Sequence, residues 1–140
     1  MAAALVDAGP IVALFGTNRQ REGERYRRLF AQAATEMWAL ATTWPCVVEA
    51  SHLLDVPQRY SMLKWIAAGA VTVYPFEQEA LDDMVNAMLS YTHKPRTEMD
   101  LADASLLWLA ADTNVTRVMT LDVRDFSRYR LPDGRAFEIL

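Results

Sequence analysis

The chain has 140 residues, of which 52% are hydrophobic and 23% charged, and its formal net charge is −4. This length predicts one domain over residues 1–140, with the composition of an ordinary soluble globular protein. The single cysteine, Cys46, excludes an internal disulfide and a cysteine-based zinc site, and it favours a reducing compartment such as the cytoplasm. No apolar run approaches the ~18 residues of a transmembrane helix, so no membrane association is expected, and the early Asp7 argues against a signal peptide.

Charge is distributed unevenly along the chain. Residues 19–28 contain five Arg and two Glu, and residues 124–135 contain four Arg and two Asp, so the rest of the chain carries −9. The net charge alone argues against a nucleic-acid substrate, but local fields decide which ligands a surface accepts. Each basic stretch is therefore either a solvated surface, the more frequent case, or a contact for phosphates or an acidic partner.

Hydrophobic patterning predicts strands that alternate with helices. A buried strand over residues 2–6 leads into a helix with Pro10 at its first position that ends at Phe15. The other predicted helices cover 21–34, about 43–55, 58–68, 77–91 and 101–112, and the other predicted strands cover 37–41, 71–74, 117–120 and, at an edge, 136–140. In the helix over 77–91, the predicted apolar stripe consists of Ala80, Leu81, Met84, Val85, Met88 and Leu89. Strands separated by helices predict an α/β fold with a mostly parallel sheet covered by helices on both faces.

Four carboxylates fall at one edge of this predicted sheet. Asp7 directly follows the first strand, Asp122 comes two residues after the fourth strand, and Glu49 and Asp103 lie in the first turns of helices. In open parallel sheets, ligands bind outside the carboxyl ends of the strands, where the following helices begin. No Lys or Arg lies within two positions of Asp7, Glu49 or Asp103. The sequence therefore predicts a group of uncompensated carboxylates at this edge.

Each acid also has a purely structural explanation. These alternatives are a turn at Asp7, an exposed helical position at Glu49, and helix caps formed by Asp100 with Asp103 and by Asp122 with Asp125. Asp103 fits its alternative least well, because Leu106, Leu107 and Ala110 follow it on the same helix face and direct it inward. A shared site explains four acids at one edge more simply than four unrelated local roles do.

Clustered oxygen ligands are what hard divalent cations require, so the predicted cofactor is Mg²⁺ or Mn²⁺. Such a cation would relieve the repulsion among the acids and could acidify a water for attack on a phosphodiester. The histidines do not form a transition-metal site: His52 could lie near Glu49, His93 sits at a chain break, and both are more often structural. Zinc is therefore disfavoured.

Other catalytic motifs are missing from the sequence, which contains no G-x-S-x-G, P-loop or G-x-G-x-x-G segment. Cys46 lies just inside a predicted helix, and we expect it to be a buried core thiol more readily than an activated nucleophile. Trp44, at the loop edge near Glu49, is a candidate to stack on a base or to fill a partner's pocket if it is not part of the core.

Four segments together resemble a PIN domain and, more narrowly, the VapC-type ribonuclease toxins of prokaryotic toxin–antitoxin pairs. The segments are Leu5-Val6-Asp7-Ala8-Gly9, Trp44-Pro45 to Glu49, Met99-Asp100-Leu101-Ala102-Asp103-Ala104-Ser105-Leu106, and Thr120-Leu121-Asp122-Val123-Arg124-Asp125-Phe126. The resemblance spans Leu5 to Phe126. The opening segment departs from it slightly, since Ala8-Gly9-Pro10 stands where many relatives have Thr or Ser after the Asp.

The resemblance implies a three-layer α/β/α sandwich and a Mg²⁺- or Mn²⁺-dependent endoribonuclease. It implies that the catalytic acids are Asp7, Glu49, Asp103 and Asp122, that the metal is held by Asp7, Asp103, Asp122 and Asp125, and that the hydroxyl of Thr120 lies near the metal. It also implies a homodimer and an antitoxin protein that obstructs the site. Arg19, Arg21 and Arg25 are candidates to contact the phosphates of the RNA substrate.

Two other function classes remain open at this point. A PIN-like binding module without turnover would keep the same fold and the same acids. A phosphoacceptor receiver domain also gathers acids at the carboxyl edge of a parallel sheet, but it needs an acidic pair after the first strand and a Lys after the last. Asp7 stands alone, and neither Lys64 nor Lys94 follows a strand, so the receiver domain is disfavoured.

Overall fold

A five-stranded sheet, with the strand order β3-β2-β1-β4-β5, organises the protein, and every strand pair in it is parallel. The computed structural model describes residues 2–17, 21–92 and 97–140, without the side chain of residue 21. The strands are β1 (Ala3–Val6), β2 (Ala39–Thr43), β3 (Thr72–Tyr74), β4 (Arg117–Met119) and β5 (Glu138–Ile139). The helices are α1 (Ala8–Phe15), α2 (Arg21–Thr35), α3 (Trp44–Leu53), α4 (Val56–Ala67), α5 (Ala80–Tyr91), α6 (Leu101–Thr113) and α7 (Val123–Phe126). The predicted α/β fold with a parallel sheet is confirmed.

Helices cover both faces of the sheet because successive strand residues point to opposite sides. Leu5 and Val118 belong to one hydrophobic cluster, which α5, α6 and the segment after α7 complete. Their neighbours Val6 and Met119 belong to the other cluster, which contains residues of α1, α2, α3 and α4. The strands β1 and β4 are therefore buried on both faces, as expected for the centre of a parallel sheet.

The central strand β1 positions the candidate site. It pairs with β2 on one side and with β4 on the other, with Leu5 aligned to both Ala41 and Val118. The amide of Asp7 continues the ladder by donating to the carbonyl oxygen of Met119 at 3.0 Å. The carboxyl ends of β1 and β4 consequently lie side by side.

Several element boundaries differ from the sequence prediction, and two of these differences lie next to the candidate site. The strand predicted over 37–41 is β2, Ala39–Thr43, because Met37 has a φ of 56° and is 75% exposed in the turn after α2. The later start brings Thr43 to the carboxyl edge, directly before α3. The helix predicted to begin at Pro10 begins at Ala8, so the proline is the third helical residue, where its missing N–H costs no intrahelical bond.

The apolar stripe predicted for α5 is wrong in part. Val85 and Leu89 are 49% and 70% exposed, whereas Met84 is buried. Ala87, Met88 and Tyr91 complete the packed face. This face follows the i, i+3, i+4, i+7 spacing from Met84, so the helix is rotated relative to the predicted stripe. Within the described ranges, no helix is both long enough and apolar enough to cross a bilayer.

Candidate metal-binding active site

Asp7 caps α1 and is held by two hydrogen bonds. Its Oδ1 accepts from the amide of Ala8 at 2.8 Å, and its Oδ2 accepts from the hydroxyl of Thr120 at 2.7 Å. The side chain is buried, and burial raises the pKa of its carboxyl above the ordinary value despite these two bonds. The charge of Asp100 acts in the same direction. Asp7 therefore has a local structural role as the cap of α1, but its carboxylate is also buried close to other acids.

Thr120 connects three parts of the site. It is fully buried directly after β4, where its hydroxyl donates to Asp7 and accepts from the amide of Asp122 at 3.0 Å. Its carbonyl oxygen accepts from the hydroxyl of Tyr26, a buried residue of α2, at 2.8 Å. The backbone and side chain of Thr120 therefore fix the relative positions of Asp7 and Asp122.

Asp103 lies in the first turn of α6 and points inward, as the sequence predicted. It is 8% exposed, and its Oδ2 accepts from the hydroxyl of Tyr129 at 2.7 Å. Burial, followed by the charge of Asp100, raises the pKa of Asp103 to about 8, while the Tyr129 bond opposes the rise. Asp100 caps α6 by accepting from the amide of Asp103 at 2.8 Å, so the predicted cap is also confirmed.

Asp122 and Asp125 form the predicted cap of α7, in which Oδ1 of Asp122 accepts from the amide of Asp125 at 3.3 Å. Burial and the contact with Asp125 raise the pKa of the Asp122 carboxyl. Burial is the largest single influence on Asp125 and opposes its charge. The hydrogen bonds with Arg128 and Asp122 and the charges of Arg128 and Arg124 together outweigh burial and lower the pKa of that carboxyl. The guanidinium of Arg128 lies 2.9 Å from Oδ1 of Asp125.

Glu49 lies in α3, partly buried at the same edge. Burial, then the charges of Asp100 and Asp7, raise the pKa of its carboxyl. All four acids singled out in the sequence therefore share one electrostatic environment, and Asp100 belongs to it as well.

Three of these carboxylates come close enough to share an ion. Asp103, Asp122 and Asp125 each offer an oxygen, and these atoms lie within 4.8 Å of one another. Among the described residues, Asp7 and Glu49 stand outside this close group, and the charge of Asp7 contributes to the raised pKa values of Asp103 and Asp122. Three carboxylate oxygens are a donor set that fits a hard divalent cation. The raised pKa values of Asp103 and Asp122 show that their ionised forms lack a nearby positive charge, which a cation would supply.

The predicted arginine contacts are only partly described. Arg19 lies outside the described residues, and nothing is described of the Arg21 side chain. Arg25 is exposed on α2, with its guanidinium carbon 5.3 Å from the ring centre of Tyr26. It lines an open cavity of about 810 Å³ together with Trp38 and Arg117. Arg25 directly precedes Tyr26, whose hydroxyl donates to the carbonyl oxygen of Thr120.

Sequence reasoning missed two residues that contact the acids, Tyr129 and Arg128. Nothing in the local pattern identifies Tyr129, since its partner Asp103 is 26 residues earlier. Arg128 follows Asp125 at the i+3 spacing of a helical ion pair, and this signal could have identified it. Asp100 was interpreted only as a cap, although its charge also affects Asp7, Glu49 and Asp103.

The side chains considered for other chemistries take different roles. Cys46 is fully buried, and burial raises the pKa of its thiol, so the expectation of a core thiol is confirmed. His52 is exposed, and His93 lies outside the described residues. Trp44 is 52% exposed at the start of α3 and lines a surface cavity of about 410 Å³ with His52 and Arg59. Its exposed ring remains available to a ligand.

No family model matches the sequence, and no curated protein matches it significantly. Solved structures do resemble the fold. VapC20 of Mycobacterium tuberculosis, a toxin that cleaves the sarcin-ricin loop, aligns with 86% of this chain and 90% of its own, with a TM-score of 0.69 and 14% identity. A chain of VapBC2 from Rickettsia felis, solved with a DNA fragment from its promoter, aligns with 99% of this chain and 98% of its own, with a TM-score of 0.68 and 13% identity. The fold is that of the PIN-domain VapC toxins.

This finding confirms the fold that the motif resemblance implied. The alignments with both VapC structures run over most of each chain, so the five-stranded sheet and its helices correspond as a whole. At identities this low, the likeness to VapC toxins extends to the fold. The activity must therefore be argued from the carboxylates themselves.

Proposed function

We propose that this chain is a divalent-metal-dependent endoribonuclease that hydrolyses RNA phosphodiester bonds as the toxin of a toxin–antitoxin pair. The observation that carries the proposal is the close group of Asp103, Asp122 and Asp125 at the carboxyl edge of a sheet with the VapC fold. A binding surface does not require three carboxylates within reach of one another, whereas a cation site does.

Asp7, Asp103, Asp122 and Asp125 are assigned as the residues that hold Mg²⁺ or Mn²⁺. When bound, the cation supplies a Lewis acid that polarises the phosphoryl group and lowers the pKa of a water. Thr120 keeps the carboxylate of Asp7 in one orientation through its hydroxyl. Glu49, with a raised pKa at the rim of the group, is assigned as the acceptor of the proton released by the attacking water.

The RNA contacts are assigned to the arginine-rich stretch of the sequence and to one exposed aromatic ring. Arg19, Arg21 and Arg25 fall in the basic stretch that begins α2, and their charges would bind phosphates on either side of the cut. The exposed ring of Trp44 would stack on an unpaired base. Single-stranded loops are the expected targets, because their bases can be splayed out of a helix.

The proposed partners follow from the same fold. The VapBC2 structure of Rickettsia felis is bound to a DNA fragment from its promoter. By analogy, we assign this chain a cognate antitoxin, a homodimeric state and a place in the cytoplasm, which suits its single free thiol. Co-expression tests the toxin assignment: growth arrest should occur on expression and be relieved by the product of an adjacent open reading frame. Harmless expression of folded protein would contradict it.

The activity is tested with structured RNA in Mg²⁺ or Mn²⁺, with EDTA as the metal-free control. Wild-type protein should cleave only with metal, and Asp7→Asn should lose most of this cleavage. Asp82→Asn, an exposed acid of α5, is a matched control that should keep it. Metal-dependent cleavage that survives equally in Asp7→Asn would contradict the assigned site.

The second candidate function is a PIN-like binding module without turnover. It is favoured by the local hydrogen bonds of Asp7, Asp100 and Asp122, each of which caps a helix. Such a module would bind RNA or protein equally well in EDTA and would leave RNA intact at every metal concentration. The cleavage assay therefore separates the two candidates.

A further inference from the structure

Tyr129 is a fully buried tyrosine in the segment after α7, where it donates its hydroxyl to Oδ2 of Asp103 at 2.7 Å. Its ring packs edge-on against Phe126 at 5.1 Å and against Tyr91 at 5.0 Å between centroids. These packing contacts hold the ring of Tyr129 in place independently of its hydrogen bond. The bond is therefore made by a rigid donor to a residue of the close carboxylate group.

Because Asp103 is repelled by neighbouring carboxylates, its hydrogen bond with Tyr129 does more than pair a buried hydroxyl. Asp103 sits next to the charges of Asp100, Asp7 and Asp122, all of which disfavour its ionised form. Without a tether, its carboxylate would lower this repulsion by turning away from its neighbours. A hydroxyl held at 2.7 Å keeps Oδ2 in place and leaves the second oxygen of Asp103 to a cation.

We propose that Tyr129 is a positioning residue of the metal site, which holds the Asp103 carboxylate in the orientation that binds the divalent cation. The inference rests on the proposed function, since it requires that Asp103 is a metal ligand. The tyrosine contributes no ligand of its own and acts through Asp103. Its effect is on metal affinity first and on cleavage as a consequence.

The test is a Mn²⁺ titration of wild-type protein, Tyr129→Phe and Tyr91→Phe. Binding is measured by calorimetry and by the electron paramagnetic resonance of free Mn²⁺. Tyr129→Phe keeps the ring packing and should bind Mn²⁺ about 10- to 100-fold more weakly, as is typical for partners of metal ligands. Tyr91→Phe removes a hydroxyl that bonds the backbone of Arg130, and it should bind Mn²⁺ as wild type does. Unchanged affinity in folded Tyr129→Phe would overturn the inference.

A double-mutant cycle with Asp103→Asn distinguishes positioning from a general loss of structure. If Tyr129 acts through Asp103, adding Tyr129→Phe to Asp103→Asn should leave the Mn²⁺ affinity unchanged. A further loss of affinity in the double variant would overturn the inference while leaving the metal site in place. If wild-type protein itself binds no Mn²⁺, the proposed function and the inference both fail.

Wild-type protein labelled with ¹³Cζ-tyrosine provides a readout that needs no folded Tyr129 variant. The chain has five tyrosines, and Tyr→Phe variants at the other four positions assign the Tyr129 signal by elimination. Addition of Mg²⁺ should shift this signal at the concentrations that saturate the site, because the acceptor oxygen belongs to a ligand. A Tyr129 signal that stays unchanged through saturation would overturn the inference.

Discussion

The hydroxyl of Thr120 donates to Oδ2 of Asp7 at 2.7 Å, across 113 residues of sequence. The bond is possible because β4 lies beside β1, so that the residue after one strand meets the residue after the other. The same hydroxyl accepts from the amide of Asp122. One buried side chain thus orients two of the proposed ligands.

Thr120→Val should weaken both stability and metal binding. Valine keeps the shape but leaves Oδ2 of Asp7 and the amide of Asp122 without this partner, which costs about 1–3 kcal/mol in the free energy of unfolding. Urea unfolding in EDTA measures this loss, and Mn²⁺ titration measures the affinity. Thr42→Val is the matched control, since Thr42 is a buried strand threonine that donates to the carbonyl oxygen of Val6. Equal Mn²⁺ affinities in the two variants would contradict the role given to Thr120.

Metal-free protein should become less stable as the pH rises from about 4 to about 8. The pKa of Asp103 is 3.8 in a model peptide and about 8 in the folded chain, so over this interval the folded state holds a proton that the unfolded state has released. Stability falls with pH wherever the folded state binds more protons, by up to about 1.4 kcal/mol per pH unit for one group. Urea unfolding in EDTA at pH 5 and at pH 8 measures the difference.

Asp103→Asn should flatten this pH dependence and raise the melting temperature at pH 8 in EDTA. The amide carries no charge to repel Asp100 or Asp122, and its oxygen can still accept from Tyr129. A gain of about 1 kcal/mol corresponds to roughly 4 °C for a domain of this size. A lower melting temperature at pH 8 would show that the ionised carboxylate contributes more to the fold than its repulsion costs.

Arg128→Gln should destabilise the metal-free protein only slightly and should tighten Mn²⁺ binding. Arg128 and Asp125 are partly exposed, so their ion pair contributes up to about 1 kcal/mol. Because the pKa of Asp125 is lowered in the folded state, this contribution is present above pH 4 and is lost as the pH falls through the folded pKa. Removing the guanidinium frees Oδ1 of Asp125 for the cation. The control is Arg135→Gln, because Arg135 forms an exposed ion pair with Asp133. Weaker Mn²⁺ binding by Arg128→Gln than by this control would contradict the expectation.

Arg25→Gln should weaken RNA binding about equally for all sequences. If Arg25 contacts a phosphate, its loss should reduce the slope of log affinity against log salt by about 0.7, the value for one contact on a single strand. Binding to the structured RNA in EDTA, where no cleavage is expected, at several salt concentrations measures this slope. Arg135→Gln again serves as the control, and an identical slope in both variants would remove Arg25 from the RNA contacts.

Much of the fold could be predicted from sequence because its signals are local. The apolar residues of β1 end at Asp7, and the strand–helix alternation that follows permits few topologies. The rotation of α5 could not be predicted, since both Val85 and Met84 fit an amphipathic helix. Only the packing against the rest of the core decides that Met84 is buried and Val85 exposed.

The candidate site was predictable to the extent that strand ends determine it. Asp7 and Asp122 follow adjacent strands, so topology alone brings them together. The contact between Tyr129 and Asp103 depends on the path of the segment after α7, for which no periodic pattern exists. The grouping of Asp103 with Asp122 and Asp125 likewise depends on how α6 and α7 approach each other.

The pairing of β1 with β4 also determines when the site can form during synthesis. Asp7 emerges from the ribosome before α1, but β4, Asp122 and Asp125 emerge only after α1 to α6 have been made. A nascent chain that ends before β4 can fold β1 onto β2 and still lack two of the proposed ligands. Tyr129, which fixes a third, emerges later still. From the synthesis of Asp7 to that of Asp125, the growing chain therefore lacks the complete group of carboxylates while it lies beside ribosomal RNA.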